Sequence, residues 1–370
     1  MIIKNGLVFQ ENKPFQKMDV HVHNGYITNL SSHESSSDSD DEIIDAEGLY
    51  LLPGLIDIHS HGAVGHDFSD GNADGLRQIL AYEYAHGITT YCPTSMTVEK
   101  DNILKMCRSL GNWQDESNQA HLAGINMEGP FLDPVKKGAH REECIMTPDA
   151  EFFRACNEAC GGRIRLLTLA PNASGALEFI NKFKDEVVIA LGHTEAGYDT
   201  AKNALLAGAR HITHLFNAMN PLGHRAPGLI GAASESEFCT AELICDGVHI
   251  HESAIRAAFK LFPGRIILIS DSIRATGLSN GTYDPGGQQV TVNGRLATLS
   301  DGTIAGSATN LFDCMRTAIS FGIPAQDAIT AATVNPAKCI GIYHETGSLS
   351  IGKRADILLV DKDFNLVRVL

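Results

Sequence analysis

The chain has 370 residues, a net charge of −15 at pH 7 and 44 % apolar residues. This length accommodates one large domain together with a small one. The acidic balance argues against a nucleic-acid-binding protein, which needs a basic surface, and no apolar run approaches the roughly 20 residues that span a bilayer. A small anionic substrate remains compatible with this charge, because a local cluster of basic residues can reverse the field within one pocket.

The cysteines and the N-terminal residues bear on the compartment. Nine cysteines are scattered without CxxC spacing, and an odd number does not suit a disulfide framework. The first residues, MIIKNGLVFQENKPF, lack the long apolar stretch of a secretory signal. We therefore expect a reduced, cytoplasmic protein.

Both ends of the chain have the pattern of antiparallel strands. Residues 1–52 alternate between apolar and polar with a period of two and contain Asn-Gly and Glu-Gly turns, and residues 341–370 follow the same alternation. We predict that these segments pair into one small β-sandwich domain, with residues 53–340 inserted between them as a separate domain. The acidic, serine-rich stretch from Ser31 to Glu42 is interpreted as a solvated hairpin loop.

Eight short apolar runs, rich in Ile, Leu and Val, alternate with amphipathic segments in the middle of the chain. The runs are residues 55–62, 89–94, 122–130, 165–171, 187–194, 211–217, 240–249 and 265–272. Continuous apolar strands that alternate with helices indicate a parallel sheet covered on both faces. Eight such units indicate a closed (β/α)₈ barrel, an α/β fold in which the active site lies at the C-terminal ends of the strands.

Residues that can bind a metal stand at the downstream ends of five of these runs. They are His59 and His61, Glu128, His193, His214 and Asp271. A single histidine is more often a hydrogen-bonded core or surface residue than a ligand, but its recurrence at successive strand ends predicts a metal centre. Mixed imidazole and carboxylate ligands suit zinc, iron or cobalt better than magnesium. His21 and His23 have the same spacing as the first pair, but they lie outside the predicted barrel, so we expect no metal there.

Several motifs resemble those of the amidohydrolase superfamily. The segment PGLIDIHSHG is typical of the superfamily, whereas MEGPF with the following KKGAH, and THLFNAMNPLGHR, are more specific. With LGHT, HRAPG, CDGVH, SDS and GSLSIGKRADILLVD, they resemble the N-acetylglucosamine-6-phosphate deacetylases over nearly the whole chain. The resemblance implies metal-dependent hydrolysis of the acetamide of N-acetylglucosamine 6-phosphate, giving glucosamine 6-phosphate and acetate.

The resemblance also implies a set of metal ligands. Glu128, His193 and His214 match the residues that hold the main metal. His59 and His61 match the first-strand pair of the superfamily, so a second metal is expected there. Related enzymes with two metals often bridge them with a carbamylated lysine; no lysine ends the fourth strand here, and Glu128 could bridge instead.

Other positions match residues that act on the substrate. Asp271 matches the catalytic aspartate, and His140 matches the histidine that helps to polarise the acetyl carbonyl. Contacts to the sugar phosphate are expected at Ala139, His140, Asn217, Ala218, Arg225, His249, Ala305, Gly306 and Ser307. Arg225 is expected to come from the neighbouring subunit of a homodimer. Lys136 and Lys137 are interpreted in two ways: they add positive charge near the phosphate, or they belong to a solvated loop.

Two features depart from the family pattern. After Gly306-Ser307 the chain reads ATNLF, where the family more often shows Leu and Met, so we expect different packing on the acyl side. The sequence also stops at Leu370, about where relatives run into one more strand. We therefore expect a small domain that is incomplete or closed differently.

Three other functions stay open at this point. Deacetylation of N-acetylgalactosamine 6-phosphate is the nearest, because the C4 hydroxyl is read by details of the pocket. A cyclic amidase is disfavoured by the absence of the fourth-strand lysine and by the presence of Arg225. A non-catalytic scaffold is disfavoured because every ligand and Asp271 are retained.

Overall fold

The structure is a computed structural model that describes residues 1–32, 42–284 and 288–370. Most of the predicted hairpin loop, residues 33–41, lies outside the described residues. The strands are β1 (Ile2–Gln10), β2 (Lys13–His23), β3 (Tyr26–Ser31), β4 (Ile43–Asp45), β5 (Tyr50–Pro53), β6 (Leu55–Ser60), β7 (Gly62–Ala63), β8 (His66–Asp67), β9 (Ile88–Ser95), β10 (His121–Leu122), β11 (Ile125–Glu128), β12 (Ile164–Leu169), β13 (Val188–Leu191), β14 (His211–Ile212), β15 (Thr240–Ile244), β16 (Ile266–Ile269), β17 (Gly281–Tyr283), β18 (Val290–Asn293), β19 (Leu296–Thr298), β20 (Ile357–Val360) and β21 (Leu366–Val369).

The helices follow the barrel strands and pack around them. They are α1 (Ala73–Ala85), α2 (Lys100–Ser109), α3 (Ala150–Ala159), α4 (Ala176–Phe183), α5 (Tyr198–Ala207), α6 (Gly228–Ser234), α7 (Glu252–Leu261), α8 (Leu311–Ser320), α9 (Ala325–Ala332) and α10 (Val334–Cys339). None of the described helices has the length and apolar character needed to cross a bilayer.

Eight parallel strands form a barrel in chain order. They are β6, β9, β11, β12, β13, β14, β15 and β16, each paired with the next. Backbone hydrogen bonds join the C-terminal ends of the last and first strands, from Asp271 N–H to His59 O at 2.9 Å and from the N–H groups of His61 and Gly62 to Ser272 O at 2.8 and 3.2 Å. Each predicted apolar run overlaps one of these strands, so the predicted barrel is confirmed. The bonds that close it lie beside the predicted metal ligands.

The interior of the barrel is apolar towards the N-terminal ends of its strands. Ile56, Leu166, Val188 and Ile267 lie near those ends and pack into one buried cluster with residues of α10. Packed aliphatic side chains leave little room for water there. Most of the polar interior is therefore found towards the opposite, C-terminal end of the barrel.

Both ends of the chain contribute to a second, seven-stranded sheet. Its order is β21-β20-β5-β1-β2-β3, with β4 beside β1, which confirms that both termini build the small β-domain. His21 and His23 lie on β2 of this sheet, away from the barrel strands. Arg354 ties the sheet to the barrel, since its guanidinium donates to Thr90 Oγ1 of β9 at 2.8 Å.

A small antiparallel sheet, which the sequence analysis did not predict, lies between β16 and α8. Its strands are β17, β18 and β19. Gln288, just before β18, donates from Nε2 to Ala139 O at 2.6 Å, and Ala305 N–H donates to Ala297 O of β19 at 3.0 Å. The small sheet therefore contacts two loops for which the sequence predicted substrate contacts.

Candidate metal centre

The side chains of Glu128, His193 and His214 meet at the C-terminal end of the barrel. Glu128 Oε1 lies 3.2 Å from His193 Nε2 and 3.0 Å from His214 Nε2, and the two imidazole nitrogens are 2.9 Å apart. His193 donates from Nδ1 to Lys136 O at 2.7 Å, so Nε2, which faces Glu128, is the nitrogen left for a metal. An approach of lone pairs at these distances is favourable only if a cation lies among them.

His140 lies in the same cluster but acts as a hydrogen-bond donor. Its Nδ1 accepts the Thr97 N–H at 3.1 Å, so Nε2 carries the proton and faces Glu128 Oε2 at 3.2 Å. Burial lowers the pKa of His140 to about 4, although the charge of Glu128 opposes this. His140 is therefore neutral at pH 7 and offers an N–H rather than a lone pair.

A second group consists of His59, His61 and Asp271. His61 Nε2 is 3.3 Å from both Asp271 Oδ1 and Glu128 Oε2. His59 Nε2 lies 3.4 Å from Glu128 Oε1 and 3.7 Å from Asp271 Oδ1, and it is buried without a hydrogen-bond partner in the described part of the chain. These three residues also have the proximity of a metal-binding set, and Glu128 lies between the two groups.

Carboxylates control the charge of this cluster. Burial alone would raise the pKa of Glu128, but the imidazoles of His59 and His140 hold it well below its usual range. Burial lowers the pKa of His61, but its hydrogen bonds to Asp271 and Glu128 outweigh burial and raise that pKa to about 10. The same two carboxylates would favour a metal cation at this position, since protons and metals compete for one lone pair.

Three of these residues stand on backbone turns with positive φ. The φ angles are +46° at His193, +28° at His214 and +49° at Asp271, a region that residues other than glycine rarely occupy. The turns are held by hydrogen bonds, for example from Asp133 N–H to His193 O at 3.0 Å and from Ser307 N–H to Asp271 O at 2.7 Å. Strain of this kind is typical of functional sites and here directs side chains from the strand ends into one space.

Glu242 and His211 belong to the polar interior and were missed by the sequence analysis. The Glu242 carboxylate is 2.8 Å from His59 Nδ1 and 2.9 Å from His211 Nε2, and all three side chains are at most 1 % exposed. The signal in the sequence was a single charged residue within the apolar strand TAELI. A carboxylate in such a strand must find partners inside the barrel.

Asp57 is a further buried carboxylate beside the ligands. It accepts Ser270 Oγ at 2.5 Å and the His59 N–H at 3.2 Å. Burial raises the pKa of Asp57 to about 7, although these hydrogen bonds oppose the rise. It supports the backbone of the first ligand strand at His59.

The two groups open into a cavity of about 400 Å³. Residues predicted to touch the substrate line it, namely Ala139, His140, Asn217, Ala218, His249, Ala305 and Gly306, together with Lys136 and Lys137. His249 is oriented by Asp246, whose Oδ2 is 2.8 Å from its Nδ1. This cavity therefore combines the metal-ligand cluster with basic and hydrogen-bonding groups around its wall.

Two residues with predicted substrate contacts, Ser307 and Arg225, do not line this cavity; Arg225 was predicted to contact the substrate of the neighbouring subunit. Ser307 does not line the cavity, because its hydroxyl donates to Ser270 O at 2.6 Å and its N–H donates to Asp271 O. Arg225 is exposed on the segment after β14, does not line the cavity and forms no salt bridge with any described residue. Its side chain is free to reach outside its own barrel.

Residues 50–370 match the model of the Amidohydrolase family. The chain is 38 % identical to the N-acetylglucosamine-6-phosphate deacetylase of Bacillus subtilis, over 99 % of this chain and 94 % of that protein. It is 32 % identical to the human N-acetylglucosamine-6-phosphate deacetylase, over 88 % of this chain and 83 % of that protein.

Solved structures agree with the sequence relatives. A mutant N-acetyl-D-glucosamine-6-phosphate deacetylase from Mycobacterium smegmatis, solved in complex with N-acetyl-D-glucosamine-6-phosphate, superposes with a TM-score of 0.93 at 30 % identity, covering 100 % of this chain and 97 % of that one. The Thermotoga maritima deacetylase superposes with a TM-score of 0.90 at 28 % identity, covering 100 % and 98 %.

Loss of one imidazole from the first group should release the metal. We expect His193→Ala and His214→Ala to bind far less than one metal per chain, because two remaining ligands hold a divalent ion weakly. Elemental analysis measures the metal, and circular dichroism checks that the barrel stays folded. His121→Ala, on β10 outside the cluster, is the control. Full metal occupancy in either site variant would contradict this ligand set.

Proposed function

The chain belongs to the amidohydrolase family and, within it, to the N-acetylglucosamine-6-phosphate deacetylases, and from this membership we propose that it hydrolyses the acetamide of N-acetyl-D-glucosamine 6-phosphate. Water cleaves the amide C–N bond, giving acetate and D-glucosamine 6-phosphate. The observation that carries the proposal is the convergence of Glu128, His193, His214 and Asp271 at one end of a cavity of about 400 Å³.

The family is metal-dependent, and the residues of this site suit a divalent ion. We assign the main ion to Glu128, His193 and His214, and a second, weaker one to His59 and His61. Imidazole nitrogens and carboxylate oxygens favour zinc, with iron and cobalt as alternatives. A divalent ion held by these residues would supply Lewis acidity at the acetyl carbonyl and would lower the pKa of a water towards about 7.

Asp271 is assigned the transfer of the proton. Burial raises its pKa, but the hydrogen bond from His61 and the nearby imidazoles outweigh burial and leave that pKa below its usual value. The carboxylate is therefore ionised at neutral pH and can accept a proton from the attacking water. It then returns this proton to the sugar nitrogen as the C–N bond breaks, serving first as base and then as acid.

His140 is assigned to the carbonyl oxygen. Because its Nδ1 accepts the Thr97 N–H, its Nε2–H points into the site. A neutral, fixed N–H donor can stabilise the negative charge that develops on this oxygen during attack. Its burial supports this role, since the hydrogen bond is then not weakened by competition with bulk water.

The phosphate is assigned to the far wall of the cavity. His249, oriented by Asp246, and the loop at Asn217 and Ala218 supply donors from the same subunit. We assign Arg225 of a second subunit to the phosphate. A planar guanidinium can donate hydrogen bonds to two phosphate oxygens at once, and this residue is exposed outside its own cavity. The protein then acts as a homodimer.

We place the enzyme in the cytoplasm. All nine cysteines are free thiols, and several lie buried in the apolar layers, for example Cys92 and Cys314. Free thiols are typical of reducing compartments. A phosphorylated amino sugar is retained inside cells, because its charge prevents passive passage through a bilayer.

The substrate assignment is tested with both epimers. We expect release of acetate from N-acetylglucosamine 6-phosphate, with a lower kcat/KM for N-acetylgalactosamine 6-phosphate and for unphosphorylated N-acetylglucosamine. Removal of metal by a chelator should abolish turnover, and added zinc should restore it. Turnover that survives complete metal removal, or a preference for the galactosamine epimer, would contradict the proposal.

Substitution of Asp271 separates chemistry from binding. Asp271→Asn keeps the shape of the side chain but removes the base, so we expect kcat to fall by about 10²–10⁴-fold with little change in KM. Steady-state kinetics measure both constants, and Asp185→Asn, an exposed aspartate outside the site, is the matched control. A kcat that stays within about tenfold of the wild-type value would mean that another group moves the proton.

Arg225→Ala should raise KM for the phosphorylated sugar by about 10- to 100-fold, since a charge-assisted hydrogen bond is lost. Mixing these chains with Asp271→Asn chains should restore about a quarter of wild-type activity in randomly exchanged dimers, because one site of each heterodimer is intact. Arg210→Ala, at the other end of the barrel, is the control. No rescue despite proven subunit exchange would place Arg225 outside the partner's site.

A further inference from the structure

A polar column descends from the metal ligands into the barrel; it consists of the buried residues His59, Glu242 and His211 and ends at the half-buried Thr240. We propose that Glu242 is a positioning residue that fixes ligands of both metal groups at once, and that it thereby sets the affinity of the centre for its metal. The inference rests on the metal-dependent function proposed above and concerns a residue that contacts no substrate.

Each oxygen of Glu242 has its own partners. Oε2 is 2.8 Å from His59 Nδ1 and accepts the backbone N–H of His214 at 3.0 Å. Oε1 is 2.9 Å from His211 Nε2, and His211 Nδ1 is 2.7 Å from Thr240 Oγ1. One carboxylate therefore joins a side chain of the second metal group to the backbone of a ligand in the first.

The hydrogen bond to His59 fixes which nitrogen of that ring is available. Because Nδ1–H donates to Glu242, Nε2, which faces Glu128 and Asp271, is the nitrogen that can offer a lone pair to a metal. A carboxylate behind a ligand histidine fixes the tautomer and the ring orientation and also makes the ring a stronger base. Both effects strengthen binding of a metal at Nε2.

Glu242 also holds the turn that presents His214. The φ angle of +28° at His214 is strained, and Glu242 supports the turn at two adjacent points. Its side chain accepts the His214 N–H, and its backbone carbonyl accepts the Leu215 N–H at 2.8 Å. Without these contacts the imidazole of His214 would lose its fixed direction towards Glu128.

Burial of the charged Glu242 side chain lowers the stability of the fold, which favours a functional reason for its position. The side chain is 1 % exposed on a strand whose other residues are threonine or apolar. Removing a carboxylate from water is unfavourable unless it is paired and hydrogen-bonded, and well-packed apolar residues often replace buried ion pairs without loss of stability. The three hydrogen-bonded partners offset this cost, and two of them belong to metal ligands.

The test compares zinc affinity in Glu242→Gln and in the wild type. Glutamine has the same shape but no charge and only one acceptor oxygen, so we expect the affinity for Zn²⁺, measured by competition with a chelator, to fall about 10- to 100-fold. Glu83→Gln is the matched control, since Glu83 is equally buried on α1 and makes no hydrogen bond to a ligand. Its zinc affinity should equal that of the wild type.

A second readout separates positioning from a general structural role. Zinc raises Tm by an amount that depends on its affinity, so this increment should shrink in Glu242→Gln. A purely structural residue would lower Tm equally with and without zinc, and an unchanged increment would overturn the inference. If the wild type itself bound no zinc, the proposed metal centre would fail first.

A different variant serves if Glu242→Gln does not fold. His211 itself contacts no metal ligand. In His211→Asn the asparagine side chain is too short to reach Glu242 Oε1, so this oxygen of the carboxylate loses its hydrogen-bond partner. We expect zinc affinity to fall about tenfold in this variant. Wild-type affinity in His211→Asn would contradict a positioning role for the column.

Discussion

The site depends on one buried carboxylate that contacts five imidazoles. Glu128, 2 % exposed, has oxygen-to-nitrogen distances between 3.0 and 3.4 Å to His59, His61, His140, His193 and His214. Bringing these groups together out of water would be unfavourable without positive charge to balance the oxygens and occupy the lone pairs. The arrangement therefore requires cations, and protons and divalent metals are the two that these ligands accept.

The N-terminal end of the barrel interior stabilises the fold, whereas the C-terminal end carries the groups for chemistry. Aliphatic side chains such as Ile56 and Ile267 fill the N-terminal end of the interior and exclude water, while most of the charged groups lie at the other end. The hydrogen bonds that close the ring, at His59 and Asp271, join the first and last ligand strands. Closure of the sheet therefore brings His59, His61 and Asp271 of the second group together, whereas Glu128, His193 and His214 stand at the ends of β11, β13 and β14, which are joined through their own strand pairs.

The wall of the cavity around the metal centre is built from loops rather than from strand ends. Its residues come from loops, from the segment around Asn217 and from the sheet β17–β19, which reaches the loop of Ala139 through Gln288. Loops on a rigid scaffold commonly determine specificity. In the proposed function, hydrolysis depends on residues at the strand ends, whereas recognition of the sugar and its phosphate depends on loop residues around the cavity.

Local patterns in the sequence determined the barrel and most of the candidate ligands. Apolar runs are readable because a strand buried on both faces needs them, and His59, Glu128 and Asp271 stand at their ends. Tertiary structure alone decided which groups meet. Glu242 and His59 are 183 residues apart, and no local pattern predicts their contact because ring closure creates it. The positive φ angles at His193 and His214 and the burial of Ser307 have the same cause, since each depends on hydrogen bonds to residues that are distant in the chain.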